Sequence, residues 1–382
     1  MIHLVLTDDW ELRGDGSGNP TVIQFAAMRS LRSVYEAHGL RASFNVEVLQ
    51  QLAHLDQAGA HPELAAVAME WEDAVRETFR RGHDVQVHVH PQWSDAVYDG
   101  GRWELRGAWS ILDYPAAEAR SMIARAKRYL EDLLTPLDPD YRCVSWRSGS
   151  WCIAPSDHML RTLSELGIVF DTSIADGLVR PGRTRFETPR VRLDYRGIDE
   201  PFLPYYPDMR DARRAANSAQ PIVCLPTHTF RASTVGRGLR AVGRRVRRRT
   251  HFADAITRRW VAPADTPLQN AGYEARGYAS RAWGAGSHGR LRRRSPKVSD
   301  LCGLSFVQMR EMLRDIRRRA RAAGVERVPV IIENHSKDLG DLGPLRLFAK
   351  EVAGADDVVV ITLSEVAENI KSGAYAIRTA AA

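Results

Sequence analysis

The chain has 382 residues, of which 44% are apolar and 26% are charged. This composition is that of an ordinary globular protein and excludes a disulfide-stapled miniprotein or a disordered tail. Its four cysteines are widely spaced and form no Cys-x-x-Cys pair, so neither a zinc ribbon nor a disulfide framework is expected. No stretch has the length of a membrane-spanning helix and the first residues lack the pattern of a secretory signal, which together predict a cytoplasmic protein.

The formal net charge of +7 is unevenly distributed along the chain. The segment from Arg231 to Lys297 contains 17 lysines and arginines but only three acidic residues, so the rest of the chain is acidic. Residues 237–249 combine arginines with apolar residues at helical spacing, which predicts a basic amphipathic helix. We expect this basic insertion to contact a diphosphate or an anionic membrane surface, and a solvated surface loop is the alternative. The acidic body argues against a nucleic-acid-binding protein.

Short apolar runs alternate with amphipathic helical patterns along most of the chain. This alternation predicts parallel strands joined by helices, in an open sheet or a barrel. The insertion divides the barrel into residues 1–230 and 299–382, with 231–298 between them. The predicted strands are 2–6, 42–46, 84–90, 142–146, 168–171, 328–333 and 358–362, and the predicted helices are 23–35, 49–55, 62–79, 116–134, 156–166, 306–323 and 342–352.

Polar residues that could carry chemistry follow several predicted strands, at the edge where α/β folds place their active sites. Asp8 and Asp9 follow the first strand, and because adjacent residues point to opposite sides, one carboxylate can bind a metal while the other addresses a bound water. His88 and His90 lie two residues apart on the third strand, so they share a face and can reach one ion. One carboxylate and two imidazoles suit zinc, with cobalt or manganese as alternatives.

The end of the fourth strand carries an arginine within a short polar loop. Arg147 can orient a carboxylate through paired hydrogen bonds, although a surface ion pair is the alternative. Ser148 and Ser150 favour a shaped loop near a ligand, and Trp151 could provide the floor of a sugar site. We therefore expect this loop to contact the substrate.

A histidine that follows the predicted strand 328–333 is the candidate proton donor. His335 would lie on the same rim as the other polar groups, and histidine is the natural general acid near neutral pH. Asp171, at the end of another strand, could hold His335 protonated and correctly oriented. His228 competes for the same role, but Pro226 makes its segment irregular.

Together these motifs resemble those of the polysaccharide deacetylase superfamily, which comprises metal-dependent carbohydrate esterases. The resemblance covers about residues 4–370 apart from the basic insertion. It implies an α/β fold, an incomplete or distorted parallel (β/α) barrel with its active site on the carboxyl rim of the strands. The matching segments are Leu6-Thr7-Asp8-Asp9-Trp10, Gly82 to His88, Arg147 to Trp151, Asp171, and Ile331 to His335.

The resemblance also implies roles for individual residues. The family usually places its second metal-binding histidine four positions after the first, which here is Gln92, and we take His90 as the third ligand with Gln92 as the alternative. Trp10 replaces a glycine of the family's first motif and adds bulk where we expect it to contact the substrate. The implied roles are Asp8 as general base, His335 as general acid, Asp9 and His88 as metal ligands, Arg147 as the residue that orients Asp8, and Asp171 as the partner of His335.

The implied reaction is the hydrolysis of an N-acetyl group from a sugar, in an intermediate of surface-polysaccharide or glycoconjugate synthesis. The basic insertion would then hold the diphosphate of a lipid- or nucleotide-linked glycan, or rest on the inner face of the membrane. The alternatives are the hydrolysis of an O-acetyl ester and a catalytically idle module that binds a metal or a carbohydrate.

Overall fold

The computed structural model describes residues 1–180, 193–233, 296–339 and 342–380. The strands are β1 (Ile2–Trp10), β2 (Ser43–Glu47), β3 (Asp84–Val89), β4 (Ala96–Tyr98), β5 (Trp103–Leu105), β6 (Ser145–Ser148), β7 (Phe170–Asp171), β8 (Val179–Arg180), β9 (Leu193–Asp194), β10 (Pro207–Asp208), β11 (Asp211–Ala215), β12 (Val223–Cys224), β13 (Thr229–Phe230), β14 (Lys297–Val298), β15 (Val328–Ile332) and β16 (Val358–Val360). The α-helices are α1 (Ala27–Glu36), α2 (Val48–Gln57), α3 (Pro62–Arg80), α4 (Ala116–Leu134), α5 (Met159–Glu165), α6 (Phe306–Ala323), α7 (Gly343–Ala353) and α8 (Leu363–Lys371). Among the described residues, no helix is long and apolar enough to span a lipid bilayer.

Seven parallel strands form the main sheet in the order β12, β7, β6, β3, β2, β1, β15. An eighth strand, β16, pairs with the first residues of β1. Beyond β12, Thr227 forms a parallel bridge to Ile331 of β15, which brings the two edges of the sheet together. All residues of β2, β3 and β15 are buried, as expected for parallel strands covered on both faces. The predicted incomplete parallel (β/α) barrel is confirmed.

The first strand is longer than the sequence pattern predicts. β1 continues to Trp10 because residues 7–10 pair with β2, with Asp9 opposite Asn45. The backbone N–H of Asp9 also donates to the carbonyl oxygen of Asn334, which follows β15, at 2.9 Å. The two acidic residues therefore lie within a strand that is hydrogen-bonded on both sides.

Residues 234–295, which form most of the basic insertion, are not among the described residues. The amphipathic helix of the insertion and its contacts with a diphosphate or a membrane therefore stay predictions. The strands that flank it are described: β13 pairs antiparallel with β14, with Thr229 opposite Val298 and Phe230 opposite Lys297. The chain therefore leaves and re-enters the barrel through a two-stranded stem.

Trp10 lies in the core rather than beside a substrate. Its side chain is fully buried, and its ring centroid lies 5.8 Å from that of Phe25 and 5.6 Å from that of Trp71. The indole N–H donates to the carbonyl oxygen of Gln24 at 2.8 Å. Strand alternation explains this placement, because Trp10 points away from the face that carries Asp9.

We expect the substitution Trp10→Ala to lower the free energy of unfolding by about 3–5 kcal/mol, because it leaves a cavity in a packed aromatic cluster. Urea unfolding followed by circular dichroism measures this change. The exposed Met69→Ala serves as the control and should change stability by less than about 0.5 kcal/mol. A loss of under about 1 kcal/mol for Trp10→Ala would contradict the core assignment.

Candidate active site

The face of β1 that carries Asp9 also directs Glu11 into the carboxyl rim of the barrel. Glu11 lies two residues after Asp9, and its Oε2 lies 3.4 Å from His88 Nε2 and in contact with His90 Nε2. The sequence pattern gives Glu11 no role, because the adjacent acidic pair Asp8 and Asp9 is the more prominent motif. Side chains two residues apart on a strand share a face, so a strand that continues past Asp9 would place Glu11 beside it.

Four buried residues bring ligand atoms within 4.8 Å of one another: Glu11, Glu47, His88 and His90. His88 Nδ1 lies 2.7 Å from the carbonyl oxygen of Arg147, and because a carbonyl only accepts, Nδ1 must carry the proton. His88 Nε2 is buried and makes no hydrogen bond, although Glu11 Oε2 lies 3.4 Å from it. Burial would lower the pKa of His88, but the carboxylates of Asp9 and Glu11 raise it to about 9.

Both carboxyl oxygens of Glu47 accept hydrogen bonds from backbone N–H groups. Its Oε1 accepts hydrogen bonds from the N–H groups of Leu49 at 2.9 Å and Gln50 at 3.3 Å, so it caps the first turn of α2. Its Oε2 accepts from the backbone N–H of His90 at 2.5 Å. Burial raises the pKa of this carboxyl to about 8. Glu47 therefore fixes the position of His90, and the convergent groups that remain are Glu11, His88 and His90.

These three residues fit a divalent transition metal. Two imidazoles and one carboxylate are a common donor set for a catalytic zinc ion. Nε2 of His88 makes no hydrogen bond, and a bound ion would take the place of the proton on this nitrogen. Lys337 contacts the other carboxylate oxygen, Oε1, so Oε2 of Glu11 faces the imidazoles. The predicted His88 and His90 thus meet at one possible metal site, joined by Glu11, which the sequence did not suggest.

Asp9 belongs to a second buried group at the same rim, with Glu333 and His335. Arg147 lies beside this group, with its Nη1 3.6 Å from Asp9 Oδ2 and 3.4 Å from Glu333 Oε2. Its Nε donates to Thr172 Oγ1 at 3.0 Å. Burial would raise the pKa of Asp9, but the Arg147 guanidinium holds it below its usual value. Arg147 therefore supplies a fixed cation to Asp9 and Glu333, whereas the sequence placed it beside Asp8.

His335 is held as a cation by carboxylates that sequence reasoning missed. Its Nδ1 lies 2.9 Å from Glu333 Oε1 and 3.3 Å from Asp300 Oδ2, while its Nε2 lies 3.8 Å from Asp9 Oδ2. Burial would lower the pKa of His335, but Glu333 and Asp300 raise it well above its usual value. The imidazole is therefore protonated and oriented, as a general acid requires.

The sequence predicts that Asp171 is the partner of His335, but in the structure its carboxylate contacts Ser173 instead. Its carboxylate accepts hydrogen bonds from the backbone N–H of Ser173 at 3.0 Å and from Ser173 Oγ at 2.6 Å. The N–H of Ser148 in turn donates to Ser173 Oγ at 2.8 Å. Burial raises the pKa of Asp171 to about 6. Asp171 thus ties together the loops that follow β6 and β7.

Asp8 and His228 also lie in other surroundings than the sequence suggested. Asp8 points to the opposite face of β1 from Asp9, where its Oδ1 accepts a hydrogen bond from Asn334 Nδ2 at 2.5 Å. Burial raises the pKa of Asp8 to about 7. His228, the alternative acid, pairs with Ser299 Oγ at 2.7 Å and Asp315 Oδ2 at 3.3 Å.

The loop after β6 has a strained backbone. Ser150 and Trp151 adopt left-handed backbone angles, with φ of 58° and 67°, a strained conformation that is typical of functional sites. Trp151 is buried under the guanidinium of Arg147, whose central carbon lies 4.9 Å from the ring centroid. Ser148 Oγ donates to the carbonyl oxygen of Cys152 at 2.7 Å. Ser148 and Trp151 therefore support Arg147, and Ser150 is the more exposed member of the loop.

No protein-family model and no curated protein matches the sequence. Among solved structures, a putative polysaccharide deacetylase from Mycobacterium smegmatis is similar over 100% of this chain and 94% of its own, at 14% identity and a TM-score of 0.49. A probable polysaccharide deacetylase from Pseudomonas aeruginosa PAO1 covers 97% of this chain and 91% of its own, at 11% identity and a TM-score of 0.48. The Puue allantoinase covers 97% of this chain and 90% of its own, at 12% identity and a TM-score of 0.46.

We expect the purified protein to contain about one zinc-like ion per chain, as three protein ligands with an open position would hold it. Elemental mass spectrometry should show that Glu11→Gln, His88→Ala and His90→Ala each lose this ion. The control His38→Ala changes a histidine on the outer side of the barrel and should keep it. Retention of the ion by Glu11→Gln together with its loss from Asp9→Asn would contradict this ligand set.

Proposed function

We propose that the protein is a metal-dependent deacetylase that hydrolyses an N-acetyl group from a sugar. The observation that carries this proposal is the juxtaposition of two buried groups at one rim. Glu11, His88 and His90 offer convergent metal ligands, and Asp9 and His335 form a separate acid–base pair whose closest atoms lie 3.8 Å apart.

The three ligands would hold a divalent ion such as zinc. When bound, such an ion polarises an acyl carbonyl and lowers the pKa of water. The ligands themselves are held in place, since the Arg147 carbonyl oxygen fixes His88 and the Glu47 carboxylate fixes the backbone of His90. A site of this kind needs little rearrangement before it reacts.

Asp9 acts as the general base. Asn45 Nδ2 donates to its Oδ1 at 2.9 Å, and the Arg147 guanidinium lies beside its Oδ2, so the carboxylate is ionised and has one defined orientation. It accepts a proton from the water that attacks the acetyl carbonyl. Asp9 takes this role in place of Asp8, because Asp8 lies on the other face of β1.

His335 acts as the general acid. An amine is a poor leaving group, and the bond between nitrogen and the acyl carbon breaks readily only when the nitrogen is protonated. The imidazolium of His335, held by Glu333 and Asp300, carries the required proton on Nε2. A histidine kept cationic in this way favours the hydrolysis of an amide over that of an O-acetyl ester, whose leaving group needs less assistance.

The substrate that we propose is a lipid- or nucleotide-linked glycan in the cytoplasm or at the inner face of the membrane. The motifs that resemble those of polysaccharide deacetylases support a sugar as the substrate. The arginines of the basic insertion, 231–298, support a diphosphate, because guanidinium groups bind phosphates in pairs of hydrogen bonds.

Asp9→Asn and His335→Gln should each lower kcat by about 10²–10⁴-fold, the usual contribution of a positioned acid or base. Acetate release from a panel of N-acetylated sugar nucleotides and chitooligosaccharides measures the effect on zinc-loaded protein, with His38→Ala as the control. The base assignment would be overturned if folded Asp9→Asn kept its activity while Asp8→Asn lost it.

The pH profile tests the electrostatics of His335. The acid is active while protonated, so the rate falls as the pH rises through the pKa of His335. Asp300→Asn removes one of the two carboxylates that raise this pKa, and the alkaline limb of kcat/KM should move to lower pH by about one unit. The exposed Glu118→Gln is the control and should leave the limb unchanged. If the alkaline limb of Asp300→Asn stays where it is in the wild type, Asp300 does not raise the pKa of the general acid His335.

A further inference from the structure

Gln92 occupies the position where the sequence motif leads one to expect a metal-binding histidine. Both Gln92 and His90 are buried, and the terminal amide of Gln92 lies against the imidazole, with its Nε2 3.0 Å from His90 Nδ1. The other end of the amide, Oε1, is buried and has no hydrogen-bond partner. This amide therefore faces the ring nitrogen that points away from Glu11, not the possible metal site itself.

The two ends of this amide have opposite effects on His90. With Nε2 towards the ring, Nδ1 accepts a hydrogen bond and the imidazole proton lies on Nε2, where it donates to Glu11. A half-turn of the amide exchanges the positions of Oε1 and Nε2. Oε1 then accepts a hydrogen bond from Nδ1–H, and Nε2 of His90 is left with a lone pair. Only the second arrangement allows His90 to bind a metal.

We propose that Gln92 is a positioning residue that sets the tautomer and ring orientation of the metal ligand His90, an inference that rests on the proposed metal site. After the half-turn of the amide, the Gln92 oxygen would accept from His90 Nδ1 as the Arg147 carbonyl oxygen accepts from His88 Nδ1. Both imidazoles are then held through Nδ1 and present Nε2 to the ion. Partners of this kind orient metal-bound histidines and increase their basicity.

The backbone around Gln92 leaves this side chain little alternative. The backbone N–H of Trp93 donates to the carbonyl oxygen of His90 at 3.1 Å, which closes a tight turn around Gln92. Gly107 packs against the same turn so closely that a Cβ atom there would lie 2.6 Å from the Pro91 carbonyl oxygen and 2.9 Å from the Gln92 Cα. The turn that carries Gln92 therefore packs closely against residue 107, where only a glycine fits.

Charge explains why a neutral amide suits this position. Glu11 and Glu47 already place two buried carboxyl groups beside His90. A glutamine accepts the Nδ1–H hydrogen bond without adding a third acidic group. A glutamate would accept the same hydrogen bond more strongly, so Gln92→Glu keeps the interaction, whereas Gln92→Met keeps only the size of the side chain.

The test compares the zinc affinity of the full-length protein and its variants by competition with a chromophoric chelator. Gln92→Met should weaken zinc binding by about 10–100-fold, and Gln92→Glu should keep the affinity within a few-fold of the wild type or tighten it. Gln220→Met, at a partly buried position outside the site, is the matched control. The visible absorption bands of Co²⁺-loaded protein, which report ligand geometry, should change in Gln92→Met and be retained in Gln92→Glu.

The outcomes separate this inference from the proposed function. A wild-type protein that binds no zinc after reconstitution overturns the metal site and the role of Gln92 with it. Zinc binding by the wild type with equal affinity in Gln92→Met overturns the positioning role alone. Loss of the ion from Gln92→Met as severe as that from His90→Ala would identify Gln92 as a ligand and would overturn the positioning role. If Gln92→Met fails to fold by circular dichroism, Gln92→Leu takes its place as the apolar variant.

Discussion

The backbone pairing of β1 as far as Trp10 determines which side chains meet at the rim. β2 on one side and the segment after β15 on the other keep residues 7–10 extended. An extended chain must alternate its side chains, so Asp9 and Glu11 face the site while Trp10 faces the helices. A turn after Asp8 would have placed both aspartates in a loop and left Glu11 without a fixed direction. The chemistry of the rim therefore depends on hydrogen bonds that involve no catalytic side chain.

Charge balance is the second constraint on this site. Asp9, Glu11 and Glu333 are all buried, and isolated buried carboxylates would be costly. Arg147 lies between Asp9 and Glu333, while Lys337 contacts Glu11. The buried acids thus form two sets, one that lies beside His335 and one that faces His88 and His90. Removing one member of such a network leaves its partners buried and uncompensated, which costs more than the lost contact itself.

The strand-end positions of the polar residues could be predicted from the sequence, because apolar runs that end in acids, histidines or arginine mark the carboxyl edge of a parallel sheet. Several of the contacts between these residues could not be predicted from the sequence. Asp300 lies 35 residues before His335 in the chain and beyond the basic insertion, so no local pattern connects the two. Trp10 was expected at the substrate because the motif was read by position, whereas the alternation of β1 decides its direction. The position of Asp171 at a strand end predicts a contact with His335, whereas its carboxylate accepts hydrogen bonds from Ser173, which is also bonded to the loop after β6.

The two-stranded stem formed by β13 and β14 has an evolutionary consequence. The bridge between Thr227 and Ile331 that draws the barrel edges together lies before the stem, and Asp300 lies just after it. The segment that joins these two strands can therefore change in length or sequence while the bridge between the barrel edges and the contact of Asp300 with His335 are retained. Such changes would leave the residues of the candidate site in place.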